Sequence, residues 1–143
     1  MCDQCDYSKL LDDVGLDATP NRLHVLEVIG SNNYPLTAAE VFATIDRSHS
    51  INRVTVYRIL DLLVEKKILE QISSGGRAAH FGLAPNEHHM PHPHFYCTNC
   101  GMMECLSPDS LAVRSGNFLK YFSGTVSRIE VRVEGLCRSC VKQ

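Results

Sequence analysis

His88-His89-Met90-Pro91-His92-Pro93-His94-Phe95-Tyr96-Cys97-Thr98-Asn99-Cys100-Gly101 gathers four of the chain's seven histidines and a Cys-x-x-Cys knuckle into fourteen residues. A second knuckle, Cys137-Arg138-Ser139-Cys140, follows after 36 intervening residues and lies at the end of the chain. Four thiolates in two knuckles form the all-sulfur tetrahedral set that a structural Zn²⁺ prefers, with Zn–S bonds near ~2.3 Å. Gly101 suits the tight turn after a knuckle, where positive φ is often needed. The bland alternatives are a pair of disulfides or buried thiols without metal. The gap between the knuckles exceeds that of a compact zinc ribbon, so a folded segment is expected inside it.

Working outward, the 143 residues allow one domain or two small ones, and 44% hydrophobic content is enough for a core. No apolar run approaches the roughly 20 residues of a membrane span, and no signal-peptide pattern opens the chain. Seven cysteines is an odd number in a metal-like arrangement. That points to a reducing cytoplasm rather than a secreted disulfide framework. The net charge is −2, and residues 1–84 hold eight Lys+Arg against eleven Asp+Glu. A generic basic nucleic-acid binder is excluded, so any DNA contact must use a local patch.

Before the histidine stretch, helix signals dominate. Residues 7–14 place Leu10, Leu11 and Val14 on one face, with Gly15 as a stop. Thr19-Pro20 reads as a cap followed by proline at the first helical position, opening a helix that ends at Gly30. Thr37-Ala38-Ala39-Glu40 is a capping box for a helix to about Arg47. Asn52 caps a further helix over 53–67, with Val56, Leu60 and Leu63 facing the core. Two helices joined by a short turn form a helix-turn-helix, which leaves Thr55, Tyr57 and Arg58 outward where a recognition helix reads bases. Strands at 68–73 and 78–83, joined by Ser74-Gly75-Gly76-Arg77, add a wing with Arg77 at its tip. A helical module that binds another protein is the competing reading.

Residues 85–93 form a hinge, too short to be a flexible spacer, so the halves on either side, 1–84 and 94–143, must touch. Short strands flank the first knuckle. A helix is expected from Ser107-Pro108-Asp109 to about Phe122. Residues 125–134 alternate, with Ile129, Val131 and Val133 on one face and Arg128, Glu130, Arg132 and Glu134 on the other, the pattern of a half-buried strand. The fold class is α+β: an N-terminal winged helix-turn-helix and a small C-terminal α/β unit stapled by its cysteines.

Taken in this order, Thr19-Pro20-x-Arg22, Thr55-Val56-Tyr57-Arg58, His92-x-His94, Cys97-x-x-Cys100-Gly101 and the terminal knuckle resemble the ferric uptake regulator family of metal-dependent repressors. The likeness runs from about Leu10 to Cys140. It implies a DNA-binding winged helix, a C-terminal dimerisation domain, and a homodimer whose metal-loaded form grips palindromic double-stranded operator DNA. It implies a regulator of metal-uptake genes and not an enzyme, with no small-molecule substrate and no membrane partner. Cys97, Cys100, Cys137 and Cys140 match the structural zinc site. Arg22, Thr55, Tyr57, Arg58 and Arg77 form the candidate DNA-contact set. His92 and His94 match the regulatory-metal histidines at the hinge.

The chain also departs from the family pattern. Asp17 replaces a DNA-contacting lysine, and Tyr34-Pro35 falls where many members place a histidine ligand. Gly82 takes the place of a carboxylate on the second wing strand, and Cys105 that of another after the first knuckle. Pro91, Pro93 and Ile129 occupy the positions of a further metal site. The regulatory set is expected to be His80, His92, His94 and Cys105, with Glu87, His88 and His89 as rivals for His80. Thiolate with imidazole suits Zn²⁺ better than Fe²⁺ or Mn²⁺, so a zinc-uptake repressor is favoured over an iron-, manganese- or peroxide-responsive relative. From another class, the spare Cys2, Cys5 and Cys105 admit a thiol redox switch. A zinc deaminase would need a His-x-Glu beside its Cys-x-x-Cys, and none occurs.

Overall fold

The computed structural model describes residues 5–74, 78–87, 89–112 and 116–142. Helix α1 (Tyr7–Asp13) is capped by Asp6, whose carboxylate accepts the Lys9 N–H at 3.1 Å. Gly15, at φ +77°, turns the chain out of it. Helix α2 (Pro20–Gly30) begins with proline after a Thr19 cap that accepts the Arg22 N–H at 3.4 Å. At its far end Gly30 makes room for Tyr7: a Cβ there would collide with the phenol oxygen. So α1 lies directly against the end of α2.

Thr37 caps helix α3 (Ala38–Asp46), accepting the Glu40 N–H at 3.2 Å and donating to the Glu40 carboxylate at 3.1 Å. Asn52 caps helix α4 (Arg53–Glu65) through the Val54 N–H at 2.8 Å. Lys67, at φ +62°, closes α4, and the Ile68 N–H returns to the Leu63 carbonyl at 2.9 Å. Leu26 and Ile29 of α2, Val41 and Ile45 of α3, and Val56, Leu60 and Leu63 of α4 are buried together as one core. His24 of α2 stacks on His49 in the turn between α3 and α4, with ring centres 3.9 Å apart.

Strands β1 (Leu36–Thr37), β2 (Leu69–Ile72) and β3 (His80–Leu83) form an antiparallel sheet in the order β1-β3-β2. Two residues are too few for alternation to show, so β1 has no signature in the sequence. The expected wing tip, Arg77, lies outside the described residues, as does His88.

The second sheet has the order β5-β4-β6, built from β4 (His94–Cys97), β5 (Met103–Cys105) and β6 (Arg132–Gly135). Strand β4 is antiparallel to β5 and parallel to β6. Helices α5 (Gly116–Tyr121) and α6 (Arg138–Val141) complete the chain. Two expectations are corrected here. The helix expected from Ser107 is not formed over 107–112, where the Ser107 carbonyl takes both the N–H (2.9 Å) and the hydroxyl (2.6 Å) of Ser110 and closes a turn; the described helix is α5. The late strand is regular only from Arg132, since its partner β4 begins at His94, opposite Arg132. Upstream of β4 stand Pro91 and Pro93, which have no N–H to offer a ladder. Ile129 and Val133 are 50% and 38% exposed, so the apolar face of this segment stays open in the single chain. Among the described residues, no helix is long and apolar enough to cross a membrane.

The two halves touch along β2, an edge strand. The guanidinium of Arg128 donates to the Gln71 carbonyl at 2.9 Å. Glu130 accepts the Ser73 N–H at 3.0 Å and its hydroxyl at 3.1 Å. Arg132 donates to the Ser73 carbonyl at 3.2 Å. Arg128, Glu130 and Arg132 of the polar face therefore bind the wing while the face stays partly open to water.

Candidate metal centres and DNA face

The knuckles converge as the cysteine spacing requires. The Sγ atoms of Cys97, Cys100, Cys137 and Cys140 all lie within 4.8 Å of one another. Cys100 and Cys137 are 3.8 Å apart at sulfur. An edge of roughly that length follows from ~2.3 Å bonds in a tetrahedron, and it is far longer than a disulfide bond of ~2.04 Å. Every described cysteine is a free thiol. The N–H groups of Cys100 and Cys137 point at the Cys97 sulfur, at 3.5 and 3.4 Å, and hold its pKa down to about 6. The Asn99 amide, 3.3 Å from the Cys140 sulfur, pulls that thiol down, but the neighbouring thiols and burial outweigh it and raise it to about 11. Donors aimed at sulfur and thiols crowded without countercharge suit a divalent soft ion at the centre.

A second cluster holds His92, His94 and Cys105, whose ligand atoms also lie within 4.8 Å of one another. Its placement follows from the second sheet: His94 opens β4, and Cys105 pairs with it from β5. His92 Nδ1 is 3.0 Å from the Met90 carbonyl. Its Nε2 is buried and has no hydrogen-bond partner among the described residues. A ring whose Nδ1–H is taken by a carbonyl presents Nε2 as a lone pair, the arrangement of a metal-ligating histidine. His94 is 3% exposed, and burial, helped by His92, lowers its pKa to about 4, so it is neutral and ready to ligate. Burial pushes the Cys105 thiol up to about 11. A reactive redox thiol needs the opposite shift, which argues against Cys105 as a peroxide-reactive switch.

The structure does not bring His80 to this cluster. His80 lies two residues along β3 from Gly82, buried at 4% exposure in a separate cavity with Tyr34, Glu40, Cys100 and Gly101. Its ring meets Tyr96 edge-on at 6.3 Å. Burial lowers its pKa, although it lines no site with His92. Of the rivals, Glu87 is exposed. His89 lines the same cavity as His92, His94 and Cys105, with its N–H held by Asn86 at 3.1 Å. Cys5 lies 4.0 Å from the Asn86 amide, so the start of the described chain meets the hinge.

The residue missed by the sequence reading is Glu70. It lines the cavity with His92, His94 and Cys105, from the β2 position directly across from Gly82. Its carboxylate lines that cavity without joining the three ligand atoms that lie within 4.8 Å of one another. The signal was the β2–β3 register, and a slip of one residue would have put Gln71 there instead.

On the outer face of α4, Tyr57 is 38% exposed, Arg58 is exposed and Thr55 is half-buried. Arg53, in the first turn of α4, stacks its guanidinium 4.9 Å over the Phe42 ring and braces α4 on α3. Arg22 donates to the Asp17 carbonyl at 2.9 Å, which ties down the loop before α2.

The family model described as the Ferric uptake regulator family matches residues 13–133. The Ferric uptake regulation protein of Shigella flexneri is 31% identical over 113 residues, covering 78% of this chain and 74% of that one. The crystal structure of the Vibrio cholerae ferric uptake regulator superposes with a TM-score of 0.75 at 26% identity, covering 92% of this chain and 100% of that one. The Campylobacter jejuni peroxide stress regulator has a TM-score of 0.69, also at 26% identity, covering 95% and 100%.

Proposed function

Because this chain belongs to the ferric uptake regulator family, a family of metal-responsive transcription regulators and not of enzymes, we propose that it represses metal-uptake genes with zinc as co-repressor. The observation that carries this reading is the His92–His94–Cys105 cluster, where a thiol joins two imidazoles beside the wing. A nitrogen and sulfur donor set suits Zn²⁺. The four-cysteine cluster would hold a second, structural zinc that contributes folding free energy.

In this reading Glu70 completes the regulatory set in place of His80, with His89 as the nearest alternative. The bound ion then joins the wing, the hinge and the second sheet, and selects one placement of α4. Tyr57 and Arg58 read operator bases, and Arg77 contacts phosphate. The exposed apolar faces of α5 and of 129–133 pair with those of a second copy, giving a cytoplasmic homodimer. Glu70 also favours one competing reading, since a carboxylate beside two histidines suits Fe²⁺ or Mn²⁺.

Operator binding titrated with buffered Zn²⁺, Fe²⁺ and Mn²⁺ under strict reduction tests the choice. Half-saturation at the lowest free concentration with Zn²⁺ supports the proposal. A response confined to Fe²⁺ or Mn²⁺ replaces it with the competing reading. Binding that ignores metal but follows thiol oxidation replaces both with a redox switch.

A further inference from the structure

Glu70 serves two neighbours. It faces the cavity of His92, His94 and Cys105, and its carboxylate lies 3.4 Å from the Arg128 guanidinium. The Glu70 side chain is 14% exposed, so a nearby cation must balance its charge. Arg128 is not committed to Glu70 alone. It also donates to the Gln71 carbonyl at 2.9 Å and lies 3.9 Å from the Glu130 carboxylate. Arg128 can therefore release Glu70 and still satisfy its own donors.

A divalent ion on His92, His94 and Cys105 would bring a second cation to the other side of the same carboxylate. The ion and the guanidinium would then share that carboxylate and repel each other. We propose that Arg128 is a built-in competitor for the regulatory metal. It holds Glu70 in the metal-free chain and yields it when the ion enters. This inference rests on the regulatory-site reading above.

Two consequences follow. Arg128 sets the metal concentration at which the site fills, by making each ion displace an existing pair. Filling the site also shifts Arg128 from Glu70 towards Glu130, the carboxylate that holds Ser73, and so loosens one of the three side-chain anchors between β2 and residues 128–132. By linkage, whatever tightens that contact must loosen the metal by the same factor.

The test uses the full chain, reduced and with its four-cysteine zinc in place. Zn²⁺ affinity of the second site is measured against a chromophoric chelator for wild type, Arg128→Gln, Glu70→Gln, the double variant and Cys105→Ala. Arg128→Gln should tighten Zn²⁺ by about tenfold, and Glu70→Gln should weaken it. In the Glu70→Gln background the Arg128 substitution should have a much smaller effect, since only the direct repulsion remains. As a readout independent of affinity, amide exchange at Ser73 should quicken in wild type on adding Zn²⁺, and in metal-free Arg128→Gln.

Unchanged or weaker Zn²⁺ binding in Arg128→Gln overturns the inference and makes Arg128 a positioning residue. Ser73 exchange that ignores Zn²⁺ overturns it too. If wild type takes up no second ion, or Cys105→Ala binds it as wild type does, the regulatory-site reading fails first and this inference falls with it.

Discussion

Cys105 stands directly across from His94 in the register of β4 and β5, so a thiol and an imidazole rise from one face of a two-strand ladder. Cross-strand Cβ atoms lie ~4.5–5.5 Å apart, a separation one ion can bridge. Cys105→Ala should lower zinc affinity at the regulatory site by at least about tenfold, leaving the four-cysteine zinc and the oligomeric state intact. Cys105→Asp should shift the relative response towards Fe²⁺ and Mn²⁺. Operator affinity against buffered free metal reads both variants. Identical curves for wild type and the two variants would reduce Cys105 to a packing thiol.

Metal entry should expel one proton, and it should come from sulfur. Burial pushes Cys105 up to about 11 and His94 down to about 4. Above pH 7, then, the thiol is protonated and that imidazole is already neutral. Zinc binding trades the sulfur proton for the ion, so apparent affinity rises with pH, by about one log unit per pH unit between about pH 7.5 and 9. In Cys105→Asp the carboxylate is ionised throughout, and the slope should flatten. Calorimetry in buffers of different ionisation enthalpy counts the protons, and a count of zero for wild type would contradict thiolate ligation.

Cys97→Ser and Cys140→Ser should each lose the tightly held zinc and the dimer together. Both cysteines are buried, at 0% and 9% exposure, in a half whose other apolar residues are largely open. That half has little core to compensate for a lost metal. Zinc content by atomic emission, alongside sedimentation, decides the matter. A full-zinc dimer in either variant would refute the four-thiolate assignment.

Arg58→Ala should relax operator discrimination by ~1–3 kcal/mol, and Arg77→Ala should weaken operator and random DNA alike. Arg58 is exposed on the outer face of α4 beside Tyr57, with no side-chain hydrogen bond or ion pair among the described residues to explain it. Equal losses on both DNAs for Arg58→Ala would assign it to phosphate.

Lys67→Gly should stabilise the protein by ~0.5–1 kcal/mol, because a side chain is held there at φ +62°. Urea midpoints report the gain, with an unchanged m-value showing that the surface exposed on unfolding is the same.

The helix starts were legible because a cap is a local device. Thr19, Thr37 and Asn52 bond N–H groups two or three residues ahead, and residue order alone reveals them. The four-cysteine centre was legible because knuckle spacing encodes a tetrahedron. The fourth regulatory ligand was not. Alternation correctly put His80 and Gly82 on one face of β3, but it carries no information on how far along the strand a cavity lies. Nor does it say which residue of β2 sits opposite. The late strand was read too long for a related reason: alternation marks which residues share a face, while pairing needs a partner with N–H groups. The prolines before β4 offer none.

The edge of β2 has a consequence for dissection. Its outward carbonyls at Gln71 and Ser73 and the Ser73 N–H are satisfied by side chains from residues 128–132. A fragment cut at residue 84 would keep its helices and wing but bare that edge. A naked strand edge recruits other strands. Such a fragment should self-associate as its concentration rises, and the DNA-reading half should travel poorly as a graft onto other proteins.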